Sequence, residues 1–330
     1  MHLQPQNRIA HFMRVALKGG VVATCLAFGS AAQAGIAFQF NFSGAFVDGV
    51  NDDAAQQGAM VTAGSLFSNM FGNYFSNSGT IVLNASGSDD PLSNTLASAG
   101  SAVVDSGAAG LVGSVVRDKL LTGVDKNGAA ADGSVDVNFG AAWQLDPNAL
   151  VSGAEFDFFA AVFHEFTHAL GFASTIDPVP GGNPYFPNQW SAYDTFLRDK
   201  DGNVIIDAGF NLNQVIFDTA SVGGTGNGVY FGGANAVAAN GGNPVALYSP
   251  TTFEPGSSVS HLDKDVFPVD MMKHDRDFGP QEARDYSAVE IGILTDIGYT
   301  RTVANTVPEP ASLALVLAGV GGLLARRRKA

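Results

Sequence analysis

The sequence predicts an α+β fold, on three observations. Gln39–Phe46 and Ser134–Phe139 alternate apolar and polar residues with the two-residue period of a half-buried strand. Ala54–Phe75 and Ser152–Leu170 repeat apolar residues at the helical period. Between two terminal segments lies a body of about 270 residues without a long linker, enough for one large domain or two lobes around a core.

The elements follow in order. Arg8, Arg14 and Lys18, an apolar run Gly19–Phe28 and the small residues of Ala32-Gln33-Ala34 make 1–34 a secretory signal peptide. The single cysteine, Cys25, leaves with it, so the exported body has no disulfide. Gln39–Phe46 is a strand. Ala54–Phe75 is a helix with Met60, Leu66, Phe67, Met70, Phe71 and Tyr74 on its apolar face. Thr80–Asn84 is a short strand, Leu111–Leu121 a short helix and Ser134–Phe139 a strand with one polar face. The Ser/Ala/Gly-rich stretches 76–113 and 221–243 read as covering loops. Ser152 and Glu155 fit a capping box that opens a helix running to Leu170. Its stripe of Phe159, Phe163, Phe166 and Leu170 faces the core, and Ser287–Ile297 is the final helix.

The chain carries a formal net charge of −14, and its basic residues gather at the two ends, so the body is more acidic still. That argues against binding nucleic acid or anionic lipid. It leaves weakly bound Ca2+ open as a second metal. Asp199-Lys200-Asp201-Gly202-Asn203 resembles part of a calcium loop but lacks the closing glutamate. A hairpin turn is the better reading there, and also for Asp125-Lys126-Asn127-Gly128.

The chemistry concentrates in residues 164–172, HEFTHALGF. His164 and His168, four apart on a helix, project from one face with Cβ atoms about 6 Å apart, so both imidazoles reach one metal ion. Glu165 is turned by about 100° and stands beside that ion, placed to take a proton from a metal-bound water and pass it to a leaving amine. With six His and six Glu in 330 residues, H-E-x-x-H arises by accident about 0.002 times. The bland alternative is a structural helix with two satisfied histidines. Gly171 is placed to end the helix.

HEFTHALGF resembles the start of the metzincin signature of zinc metalloproteases. In the compact form of that signature a third histidine falls at residue 174, which is Ser174 here. The segment GSSVSHLDKDVFPVDMMKH resembles the leishmanolysin-type branch, in which a long insertion precedes the third histidine. Here 89 residues separate Gly171 from His261. The resemblance implies His164, His168 and His261 as ligands of Zn2+, and Glu165 as the catalytic base. Met272, or failing that Met271, would form a methionine turn under the site; ordinary core packing is the alternative. For His274 two readings stand: a stand-in for a tyrosine that some metzincins place near the metal, or a surface histidine. Glu290 on the last helix is a rival third ligand. The resemblance further implies a two-lobed catalytic domain. Residues 35–171 would hold a twisted mixed sheet, a backing helix and the active-site helix 152–170. Residues 172–306 would form an irregular lobe with His261 and the methionine turn. Ser134–Phe139 would be the sheet edge along the cleft, to which a protein or peptide substrate adds as a strand; an interior strand is the alternative.

At the other end, Val307-Pro308-Glu309-Pro310, an apolar segment Ala311–Ala325 and Arg326-Arg327-Arg328-Lys329 resemble the PEP-CTERM sorting signal of Gram-negative bacteria. Fifteen helical residues span about 22 Å, short of a ~30 Å hydrocarbon core. The resemblance implies a sorting protease of the exosortase type acting on residues 307–330, a plain C-terminal membrane anchor being the alternative. The whole reads as an exported zinc-dependent metalloendopeptidase of the cell envelope or extracellular matrix. The rival is a non-catalytic zinc-containing matrix or binding protein, which would have no need of Glu165.

Overall fold

The computed structural model describes residues 35–50, 52–178, 185–280 and 282–302. The expected signal peptide and the C-terminal segment 307–330 lie outside them. Among the described residues no helix is long and apolar enough to cross a membrane.

The main sheet has four strands, β1 (Ile36–Gly44), β2 (Gly79–Ser88), β3 (Ala97–Ser101) and β4 (Gly133–Asn138), in the order β1-β2-β4-β3. β1, β2 and β4 are parallel, with Phe40 beside Leu83 and Ala85 beside Val135; β3 runs antiparallel, with Ala99 beside Val135. The sheet is therefore mixed, as expected. Alternation explains its two faces: Phe38, Phe40 and Phe42 turn toward the helices while Gln39 and Asn41 are exposed. On the wet face Asn41 Nδ2 donates to Asn84 Oδ1 at 3.0 Å, and Ser86 Oγ donates to Asp136. At the end of β1, Gly44 has φ +59°, and a Cβ there would meet the Gly87 carbonyl oxygen at 2.2 Å. Only glycine fits this close turn out of the sheet.

Ser134–Phe139 is thus an interior strand, and the edge is β3, inside a stretch that reads as covering loop. Val135 and Val137 give β4 a clear apolar face. That pattern marks a strand but carries no information about its neighbours. β3, by contrast, has the sequence ASAGS and no large apolar residue.

Three helices pack against the sheet region. α1 (Asp53–Tyr74) is capped by Asp52, whose side chain accepts from Ala55 N, and buries Met60, Ala63, Phe67 and Phe71. Leu66, counted with that face in the sequence, is 39% exposed. α2 (Val115–Thr122) starts four residues later than expected. α3 (Phe158–Ala169) also starts late. Ser152 and Glu155 do interact, with Ser152 N donating to Glu155 Oε2 at 3.2 Å, but in a turn. Phe156–Asp157 then pairs with Trp143–Gln144. The cap is Asp157, which accepts from Phe159 N and Ala160 N at 3.0 and 3.1 Å. Arg284 in turn holds this carboxylate at 2.7 and 2.9 Å. Gly153 in the supposed first turn disfavours the earlier start, and a doubly used, ion-paired aspartate favours the later one.

The second half of the chain contributes short elements: α4 (Gln214–Ala220), α5 (Ala234–Ala239), two-residue strand pairings and turns, before α6 (Ala288–Asp296). The Asp199–Asn203 segment is the expected hairpin turn, closed by an antiparallel bridge between Arg198 and Val204. α6 carries a true capping box, Ser287 with Glu290. One hydrophobic cluster runs through both halves, from Ile36 and Phe46 to Ile293 and Tyr299.

Phe166 sits where these parts meet. Its ring lies 4.4 Å from Phe38, 5.9 Å from Phe40 and 5.4 Å from Phe67. Phe166→Ala is expected to lower the unfolding free energy by about 3–5 kcal/mol. Gln39→Ala on the wet face should stay within about 0.5 kcal/mol. Urea denaturation of the two variants checks this; equal losses would show that the aromatic cluster is not the centre of the core.

Candidate metal centre

α3 supplies two of the three histidines, and its sequence explains why it is so firmly placed. Phe159, Phe163, Phe166 and Leu170 are all buried, as the helical stripe predicts. His164 and Glu165, on the other side, are buried as well, while His168 is partly exposed. The helix ends at Gly171, whose φ of +103° turns the chain sharply. That turn sets the Phe172 carbonyl opposite His168 Nδ1 at 2.7 Å.

The next residues are tied down at once. Buried Asp194 accepts from Ser174 Oγ at 2.7 Å, Thr175 Oγ1 at 2.6 Å and Ser191 N at 3.0 Å. Ser174 N donates to Ser260 Oγ at 3.1 Å. So the serine standing where a compact signature has its third histidine links the exit of α3 to the loop that carries His261. In that loop Val259, fully buried, has φ +67°, a region β-branched residues avoid at a cost of about 1–3 kcal/mol. Its N donates to the Tyr248 carbonyl at 2.8 Å, and its own carbonyl accepts from Tyr193 Oη at 3.2 Å. These bonds hold the strained backbone.

The structure brings His164, His168 and His261 together. Their Nε2 atoms are 3.0, 3.0 and 3.1 Å apart. Each Nδ1 faces a carbonyl: Met271 for His164 at 2.8 Å, Phe172 for His168 at 2.7 Å and Ser257 for His261 at 2.7 Å. A carbonyl only accepts, so each ring carries its proton on Nδ1 and offers Nε2 as a lone pair. Burial pushes His168 down to about 4, and pushes His164 and His261 well below the usual histidine range. Three neutral rings therefore point lone pairs at one another, an arrangement that is repulsive unless a cation sits among them. A tetrahedral ion with bonds of about 2.0–2.1 Å needs ligand nitrogens about 3.3 Å apart. The observed spacings are within a few tenths of that, so the three side chains can hold a metal ion. Among the described residues this is the one group of three or more histidine, cysteine or acidic side chains so arranged.

Glu165 stands beside the trio. Burial lifts its carboxyl to about 8, opposed by the Arg276 charge and the backbone N–H of Ala99 in β3. The edge strand thus reaches the site directly. A cleft of about 840 Å³ opens over the histidines, lined by Ala97–Ala99 of β3, Glu165, Phe156, Phe278 and the segment Lys273–Arg276. A second hollow of about 260 Å³ continues along Ala99–Ser101 past His168.

The remaining sequence candidates fall into place. Glu290, the rival third ligand, lies under the turn instead: its two oxygens accept from Met272 N and Ser287 N, both at 2.7 Å. Met271 gives its carbonyl to His164, and its sulfur lies 3.8 Å from Thr167 Oγ1. The Met272 carbonyl accepts from Leu262 N at 2.8 Å, next to His261. His274 lines the cleft, stacked on Tyr248 with centroids 3.4 Å apart, and it is not one of the converging nitrogens. Sequence reasoning missed Arg276, Ala99 and the three carbonyls. The carbonyls have no side-chain signature. Arg276 was visible only as part of the charged run Lys273-His274-Asp275-Arg276-Asp277.

The PEP-CTERM protein-sorting motif matches residues 306–329. It marks the chain for export and envelope-associated sorting in a Gram-negative cell, and it implies recognition by exosortase-type machinery. No curated protein and no solved structure matches the chain significantly.

Burial raises the Glu290 carboxyl from 4.5 to about 7, against the two N–H groups it accepts from. A carboxyl raised on folding binds its proton better in the folded state. Its contribution to stability is full below about pH 4.5 and is lost as pH rises through about 7. The loss amounts to about 3 kcal/mol at most. Glu290→Gln removes the titration but also one acceptor. The variant should therefore be clearly less stable than the parent at pH 4.5, with the gap narrowing by pH 8. Thermal unfolding at the two pH values reads this; a gap that stays constant would show that the carboxyl does not titrate in the fold.

Proposed function

We propose that this chain is an exported zinc-dependent metalloendopeptidase. The observation that carries the reading is the set of three Nε2 lone pairs converging within 3.1 Å, beside a buried glutamate at the wall of an open cleft. Three imidazoles with a free position on the cleft side are the donor set of a catalytic rather than a structural zinc site. Zinc held there supplies Lewis acidity toward a carbonyl and a water of lowered pKa.

The chain's own residues account for the rest. His164, His168 and His261 hold the ion, each oriented by its backbone carbonyl. Glu165 takes a proton from the attacking water and returns it to the leaving amine. Burial favours its protonated form and the Arg276 charge its carboxylate, so the group is placed both to accept and to donate a proton. The outer edge of β3 lines the cleft, and its main-chain groups other than the Ala99 N–H, which Glu165 takes, give an extended peptide partners whatever its sequence. The mixed α+β architecture supports the reading at the level of fold class.

Zinc content and hydrolysis of casein or gelatin test the reading together. The purified protein is expected to contain one zinc and to cleave these substrates, with activity abolished by a chelator. Glu165→Gln should keep the metal and lose at least about a hundred-fold in kcat. His261→Ala should lose zinc, whereas His274→Ala should keep it. A zinc-loaded protein in which Glu165→Gln cleaves as well as the parent, or in which neither cleaves, favours the non-catalytic matrix or binding role.

A further inference from the structure

Arg276 is buried beside the centre, on the Nδ1 side of His164 and in the wall of the cleft. Its side chain is only 8% exposed; Nη2 donates to the Met271 carbonyl and comes within 2.7 Å of His164 Nδ1, whose own N–H faces the same carbonyl. Nη1 pairs with Glu282 Oε2 at 2.6 Å, and Nε has no partner among the described residues. Glu282, itself 3% exposed, is shared with Lys273 Nζ at 3.1 Å and accepts from Asp277 N at 3.0 Å. Glu282 is thus the carboxylate that pairs with Arg276, while Lys273 also has Asp275 and Asp277 at 3.7 Å.

This is an unusual neighbour for a metal-ligating histidine. The second partner of such a ring is ordinarily a carbonyl, carboxylate or water, which makes the ring a better donor. Here the guanidinium shares the carbonyl that His164 uses. Less of that oxygen's electron density is left for the Nδ1–H group, and a fixed positive charge stands one ring's width from the ion's position. In a buried site a like charge at this range is weakly screened. It opposes an incoming cation and favours negative charge developing on the cleft side.

We propose that Arg276 is a positioning residue that tunes the centre: it holds the bound ion electron-poor through His164, weakening metal affinity and strengthening Lewis acidity, with Glu282 setting how much of its charge is felt. This rests on the three-histidine site binding zinc. The competing account is that Arg276 only braces the turn between Met271 and Glu282.

The two accounts differ in sign. Zinc affinity of the purified full chain is measured by competition with a chromophoric chelator at fixed pH and ionic strength. Tuning predicts that Arg276→Gln and Arg276→Met bind zinc more tightly, by about ten-fold. Glu282→Gln should bind it more weakly, and Arg276→Lys should stay near the parent. At saturating zinc the two charge-removing variants should lose about ten-fold in kcat on a peptide substrate, with KM little changed. Bracing predicts weaker zinc binding in both glutamine variants. Circular dichroism identifies a misfolded variant, and the glutamine and methionine forms stand in for one another. Unchanged or weaker zinc binding in the folded charge-removing variants overturns the proposal while leaving the peptidase reading intact. Failure of the parent to bind zinc removes both, and is read before any variant is compared.

Discussion

Three imidazole lone pairs brought within 3.1 Å of one another are the constraint that organises this molecule. Such a cluster does not form by itself, because neutral acceptors repel and buried polar atoms need partners. The fold meets the cost by giving every ring a carbonyl behind it. Each carbonyl comes from a different piece of local structure. Phe172 is delivered by the left-handed turn at Gly171, Ser257 by the strained loop around Val259, and Met271 by a turn anchored on Glu290. The centre is held by backbone geometry more than by side-chain packing.

α3 transmits that geometry to the rest of the protein. Its front end is clamped by Asp157 and Arg284, and its rear carbonyl, Leu170, accepts from Tyr299 Oη at 2.7 Å. Along its length aromatic rings from β1 and α1 lock its apolar face. A helix fixed at both ends and on one side has little freedom to rotate. This is what keeps His164 and His168 in register with a residue nearly a hundred positions away.

How much of this could be read from the chain depends on how local each feature is. HEFTHALGF compresses two of the converging histidines, the glutamate and the stop signal into one helical segment, so all were legible. His261 was reachable only through the spacing of His, Met271 and Met272, since nothing in its neighbours alone singles it out. The start of α3 was misread because Ser152 and Glu155 satisfy the capping pattern while the ion-paired Asp157 satisfies the backbone. β3 was missed because Ala97, Ser98, Ala99, Gly100 and Ser101 have no hydrophobic alternation; its identity is fixed by β4 beside it. Arg276 became meaningful only once the turn placed it behind His164.

The end of the described chain reaches back to its beginning. Ser76 N donates to the Thr300 carbonyl, Thr302 N to the Tyr74 carbonyl, and Tyr74 Oη to Asp285. With Tyr299 on Leu170, these bonds close α1 and α3 against residues more than a hundred positions further along the chain. The two helices that carry and back the histidines are therefore locked only when the far end of the body is in place, so closure of the centre comes late in folding.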